Sequence, residues 1–181
     1  MMLQETYRRM SVPELQKQFR YKNVMAVPRI EKVVVNSGVG RLRDPKEHEE
    51  ILRYLALITG QRPHPRLARR AIASFKSRIG MTVGYRVTLR GARMFDFLSR
   101  FINIALPRTR DFRGLAVSSF DAKGNLTVGV KEHIVFPEMV GEDYRLLFGF
   151  EVTVITTART REEGVTLLQS LGFPIRGEGK A

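Results

Sequence analysis

A chain of 181 residues, 43% of them hydrophobic, can bury one substantial core but is short for several domains. With no cysteine it excludes disulfides, thiolate metal sites and a cysteine nucleophile together. A formal net charge of +13 points to a polyanionic partner.

The charge is unevenly placed. Residues 1–61 hold 11 Lys/Arg and 7 Asp/Glu, residues 62–113 hold 13 against 2 (Asp96 and Asp111), and residues 114–181 hold 7 against 9. A generally basic solvated surface predicts an even spread, whereas a central band predicts a nucleic-acid footprint. An anionic membrane surface is the lesser alternative. The opening Met1-Met2-Leu3-Gln4-Glu5 lacks the charged start and apolar core of a secretory signal. No apolar run approaches the roughly 18 residues of a membrane helix, so a cytoplasmic location with no membrane partner is expected.

In chain order, residues 5–20 predict an N-terminal helix. Pro28 then opens a strand through Ile30, Val33, Val34 and Val35, whose β-branched run suggests burial on both faces. Asp44-Pro45-Lys46-Glu47 is a helix start with a cap, a proline at the first position and a capping-box glutamate. Ile51, Leu52, Leu55 and Ile58 share one face of that helix, and Gly60 can stop it. Over 82–90, Val83, Tyr85, Val87 and Leu89 alternate with Thr82, Arg86, Thr88 and Arg90, which predicts a half-buried strand. A helix at about 92–105 is apolar on more than one side, and Pro107 is expected to end it. A hairpin is expected between Ser119-Phe120 and residues 126–130 across the turn 121–125, then a strand at about 150–157. A last helix opens on the capping box Thr160-Arg161-Glu162-Glu163, buries Val165, Leu168 and Leu171, and stops at Gly172. The fold class that follows is α+β: a mixed, largely antiparallel sheet with helices packed on one side, as a single domain over 1–181.

Catalytic readings fail one at a time. Gly38-Val39-Gly40 follows a strand, but position 43 is Arg where a dinucleotide fingerprint needs Gly, so a tight turn explains it better. His48, His64 and His133 are too scattered for helical metal ligation, and Ser118-Ser119 lacks the glycines of a nucleophile elbow. An RNA-processing enzyme would need acids or paired histidines inside the band, which offers only Asp96, Asp111 and His64. No enzyme activity, metal or cofactor is expected.

Features suited to RNA are better defined. One face of the 82–90 strand offers Thr82, Arg86, Thr88 and Arg90: guanidinium forks for phosphate oxygens and hydroxyls for the ribose 2′-OH. A solvated sheet face with incidental arginines is the competing explanation. Just before it, Arg69, Arg70, Ser74, Phe75, Lys76, Ser77, Arg78, Ile79 and Met81 form a basic stretch with large apolar groups, a loop able to stack or wedge. Core packing for Phe75 is an equal reading. Arg108, Arg110 and Arg113 add a third basic cluster.

Several separate stretches, in order, resemble bacterial large-subunit ribosomal protein five, the 5S-rRNA-binding family. They are Val27-Pro28-Arg29-Ile30-Glu31-Lys32-Val33-Val34-Val35-Asn36, Ala56-Leu57-Ile58-Thr59-Gly60-Gln61-Arg62-Pro63, Arg86-Val87-Thr88-Leu89-Arg90-Gly91, residues 105–114, and Ile155-Thr156-Thr157-Ala158. The resemblance implies a structural protein that attaches 5S rRNA at the central protuberance beside other ribosomal proteins. It also implies contacts with 23S rRNA and a bridge to a small-subunit head protein. By motif, the family's 5S contact corresponds to Asn36, Gln61, Thr88 and Arg90, and its extended loop near the P-site tRNA to about residues 73–81. The strand-face argument selects Thr88 and Arg90 by itself; Asn36 and Gln61 rest on the resemblance. The chain departs from the family at Ala116-Val117-Ser118, at Ala122-Lys123-Gly124-Asn125-Leu126, and at residues 140–150. There Phe148-Gly149-Phe150 replaces a more polar, Met-containing segment.

Overall fold

The computed structural model describes residues 3–42, 44–142 and 145–176. Arg43, the residue that breaks the dinucleotide fingerprint, and Asp143-Tyr144, inside the departing segment, lie outside the described residues, as do Met1-Met2.

Five strands form one sheet: β1 (Ile30–Gly38), β2 (His64–Leu67), β3 (Thr82–Leu89), β4 (Leu126–Val130) and β5 (Phe150–Thr156), in the order β2-β3-β1-β5-β4. Every strand pair is antiparallel. The expected mixed sheet is therefore a wholly antiparallel one, and the parallel element is a single bridge, Leu115 to Ile175, outside the strands. The helices are α1 (residues 3–19), α2 (Pro45–Thr59), α3 (residues 91–108) and α4 (Arg161–Ser170).

Alternation decides which face is covered. Val33, Val35, Tyr85, Val87, Leu89, Val152 and Val154 are buried, and the register aligns Val33 with Leu89 and Val154, and Val35 with Val87 and Val152. The opposite face carries Val34, Asn36, Arg86, Thr88, Glu151 and Thr153, all half-buried or exposed. This corrects the expectation that the first strand is buried on both faces. Val34 sits between Thr88 and Thr153 on a face that no helix among the described residues covers. Antiparallel sheets commonly leave one face to solvent in this way.

Helix ends follow their local chemistry. The Asp44 side chain accepts from the Lys46 N–H, Pro45 lies in the first turn, and Gly60 closes α2 in the left-handed region at φ 66°. Thr160 caps α4 by accepting from the Glu163 N–H, while the Glu163 carboxylate reaches back to the Arg159 N–H at 2.7 Å. Helix α3 does not stop before Pro107 but continues to Arg108. A π turn at Phe101–Ala105, closed by the Leu106 N–H on the Phe101 carbonyl, widens the helix just ahead of the proline. The same device precedes Pro13 in α1, where Val12 donates to the Tyr7 carbonyl. Proline lacks the N–H and collides with the carbonyl four residues back, and the wider turn accommodates both defects. Helix α3 also buries a single side, with Met94, Phe97, Leu98, Phe101 and Ile102 inside and Arg93, Asp96 and Asn103 exposed.

The expected hairpin at 119–130 reduces to one bridge, Phe120 to Leu126, because residues 126–130 take β5 as their partner. The turn itself is well fixed: Asp121 accepts from the Lys123 and Asn125 N–H groups, and Asn125 accepts from the Thr156 N–H. Gly124 (φ 73°) lies directly against α4, and a Cβ on Gly164 would fall inside the Gly124 peptide.

Rings run through the core from α2 to α3. Tyr54 stacks on His133 (5.2 Å between centroids), His133 on Phe148 (4.3 Å), and Phe150, Phe136 and Phe97 follow at 5.6–6.4 Å. The departing Phe148-Gly149-Phe150 segment is thus core packing. Gly149 lets the chain pass close to the Val130 and Lys131 carbonyls, where a Cβ would come within 2.9–3.0 Å.

The packing around Gly164 and His133 can be tested directly. Gly164→Ala should destabilise the fold by about 1–3 kcal/mol, because the Gly124 turn must move away, and a urea melt measures the loss. Burial holds the His133 pKa below its ordinary 6.5, against weaker opposing effects of a hydrogen bond to the Phe148 backbone and of Glu132. The unfolded chain therefore takes up a proton that the folded chain resists. Stability should be full above pH 6.5 and fall as pH drops through 6.5 towards the folded value. Melts of His133→Phe should show a flatter decline across this window.

Candidate nucleic-acid interface

The open face is organised in cross-strand rows. His64, Arg86, Asn36, Glu151 and Gly129 form one, from edge to edge of the sheet. Thr88, Val34, Thr153 and Thr127 form the next, and Arg66, Gly84 and Gly38 lie on the other side of the first. Directly paired residues in an antiparallel sheet project to the same side, and strands repeat at about 4.8 Å. The face thus carries cations on β2 and β3, an amide, a valine and the half-buried Lys32 on β1, and a carboxylate on β5.

Gln61, Arg62, His64, Arg66, Arg86 and Thr88 line a shallow depression of about 300 Å³ on this face. Gln61 is held there by donating from Nε2 to the Thr88 carbonyl at 3.3 Å. The bend that delivers it is fixed by Thr59, whose hydroxyl lies 2.6 Å from the Leu55 carbonyl and 3.0 Å from that of Gln61. Asn36 stands beside Arg86 in the register. Arg90 follows the end of β3, exposed and extended (φ −141°, ψ 165°), just before α3 begins. The four residues singled out by resemblance, two of them also by strand alternation, therefore occupy one region.

His64 and Arg66 were not anticipated. They lie on β2, an edge strand whose sequence His64-Pro65-Arg66-Leu67 carries a proline that obscures it. Proline is tolerated at a sheet edge, and an exposed edge with charged side chains resists unwanted strand pairing. The usable signal was position: two basic side chains of a four-residue segment, two apart, next to a strand with the same spacing.

Beyond β2 and β3 the two strands continue as a hairpin-like arm. The Ala68 N–H donates to Met81 and the Gly80 N–H to Ala68. The tip closes through the Ser77 N–H on the Ile72 carbonyl and the Ile72 N–H on the Ser77 hydroxyl, with Lys76 left-handed at φ 51°. Phe75 is 73% exposed and Ile79 72%, so the core alternative for Phe75 is not what forms. Arg69, Arg70, Ser74, Lys76 and Arg78 are exposed along the same arm, and Ser77 is half-buried.

Arg108, Arg110 and Arg113 are exposed, but they follow α3, which packs on the opposite face. They do not join the open-face cluster. Their loop is tied to the C-terminal segment by the Leu115 N–H on Pro174 and the Arg176 N–H on Leu115. The Arg110–Asp111 pair, 3.8 Å apart and almost fully exposed, adds essentially nothing to stability. Among the described residues no group of three or more His, Asp or Glu is placed to hold a metal ion, and no helix is long and apolar enough to cross a membrane.

Two family models match the chain: Ribosomal protein L5 over residues 23–78, and the C-terminus model of the same ribosomal family over residues 82–175. Strands from the two matched stretches interleave in the sheet, since β3 lies between β2 and β1. The chain is 49% identical to the large ribosomal subunit protein uL5 of Syntrophomonas wolfei, over 96% of its own length and 98% of the relative. It is 47% identical to that of Halothermothrix orenii over 95% and 97%, and 49% identical to that of Acaryochloris marina over 96% and 97%. Together with the basic α+β fold, these matches show that the chain belongs to the ribosomal protein L5 family, structural and non-enzymatic proteins of the large ribosomal subunit.

Proposed function

We propose that this large-subunit protein holds 5S rRNA on the open sheet face, with Arg66, Arg86 and Arg90 on phosphates and Asn36, Gln61 and Thr88 on ribose and base edges. The convergence of Gln61, Arg62, Arg86 and Thr88 around one depression carries this reading, because five strands of fixed register hold donors of both kinds in a rigid array. Phosphate contacts position an RNA, and groove contacts supply register and shape recognition. The chain would thereby attach 5S rRNA at the central protuberance, next to 23S rRNA and neighbouring proteins. The basic arm, with Phe75 and Ile79 at its surface, is the element proposed to reach the P-site tRNA. It is closed by its own hydrogen bonds, and the mostly exposed Phe75 borders a cavity shared with Gly38, Ile51 and Phe148. The arginines at 108, 110 and 113 are left for 23S rRNA, and the bridge to the small-subunit head is assigned to the C-terminal half.

Arg90→Ala should weaken 5S rRNA binding and lower the slope of log affinity against log salt by about one. Asn36→Ala should cost about 1–3 kcal/mol in 5S affinity with the salt slope unchanged. Filter-binding isotherms across a salt series measure both. An Arg90→Ala protein as tight as wild type at every salt concentration would place the RNA elsewhere.

A further inference from the structure

The open face holds a group that phosphate binding does not explain. Glu151 is exposed in the same cross-strand row as Arg86 and Asn36, and no hydrogen bond or ion pair engages its side chain among the described residues. Gly129 lies directly opposite it on β4, and open space surrounds the position a Cβ would take there. The same holds at Gly38, one row away on β1. The carboxylate therefore rises from a bare floor where an RNA backbone or sugar edge can come close. From Arg86 on β3 to Glu151 on β5 is two strand spacings, about 10 Å.

Resting on the reading above, that this face carries 5S rRNA, we infer that Glu151 is its discriminating acceptor. It takes hydrogen bonds from donors in the shallow groove of an A-form helix, the ribose 2′-OH and the guanine amino group, while the β2–β3 cations hold the phosphates. A-form RNA displays those donors in its wide minor groove, and an ionised carboxylate accepts only. A phosphate placed over β5 would meet like charge, so the same group also fixes which way the backbone runs across the sheet. An RNA bound in any other register loses the acceptor contacts and meets the repulsion.

The test measures, for wild type, Glu151→Ala and Glu151→Gln, the ratio of affinities for 5S rRNA and for a scrambled-sequence hairpin RNA of the same length. Glu151→Ala should lower this ratio at least five-fold, with Glu151→Gln, which keeps one acceptor oxygen, falling between it and wild type. The position is exposed, and unchanged melting temperatures would show that both variants fold. A ratio equal to wild type in Glu151→Ala overturns the inference, including the case where affinity for both RNAs rises equally through loss of a negative charge. A wild type with no preference for 5S rRNA overturns the 5S reading itself, and the inference with it; that outcome is recognisable before any variant is compared.

Discussion

Everything on the functional side depends on the register that locks β1 between β3 and β5. Val33 and Val35 align with Leu89 and Val87 on one side and with Val154 and Val152 on the other, so six apolar side chains turn one way together. A slip of one residue in any of these strands would move its valines to solvent and its polar set into the core. Fixing the core face therefore fixes the open face. Asn36, Arg86, Thr88, Glu151 and Thr153 are held at positions dictated by hydrophobic burial on the far side. The ring stack from Tyr54 through His133, Phe148, Phe150 and Phe136 to Phe97 then joins α2 and α3 beneath it.

This division suits the proposed role of the open face as a platform for a folded RNA. A rigid platform loses little conformational entropy when it binds, so more of the contact energy appears as affinity. Charge runs in one direction across the platform, from Arg66, Arg86 and Arg90 at the β2–β3 side to Glu151 on β5. Such a gradient orients a polyanion as well as attracting it. The arm beyond β2 and β3 is different in kind. Large apolar groups are exposed at Phe75 and Ile79, and backbone hydrogen bonds close its tip, as suits a contact separate from the one proposed for the open face.

Much of this was legible in the sequence where local chemistry and tertiary packing agree. The alternation at 82–90, the caps at Asp44 and Thr160 and the stop at Gly60 each describe their own structure. The rest was hidden for physical reasons. Val33-Val34-Val35 reads as doubly buried because valine does not reveal that its cross-strand neighbours at one position are threonines. Pro65 masks β2, and with it His64 and Arg66. Pro107 looks like a helix end because nothing in the sequence announces a π turn before it. Asn36 and Gln61 carried no pattern of their own and entered through family resemblance. Asn36 lies within the hydrophobic strand, and Gln61 depends on a bend held by Thr59. Glu151 was passed over because the negative balance of the C-terminal third concealed that one of its acids stands on the basic side of the molecule.

The most direct measurement of the central claim is methyl NMR of the protein, free and bound to 5S rRNA, with a soluble paramagnetic agent present. The open face carries its own reporters in the methyl groups of Val34, Thr88 and Thr153, and the core face supplies Val33, Val87 and Val152 as internal controls. If 5S rRNA lies on the open face, Val34, Thr88 and Thr153 become shielded from the agent in the complex while the buried valines stay unchanged. Continued broadening of Val34, Thr88 and Thr153 in a saturated complex would contradict the account and place the RNA on another surface.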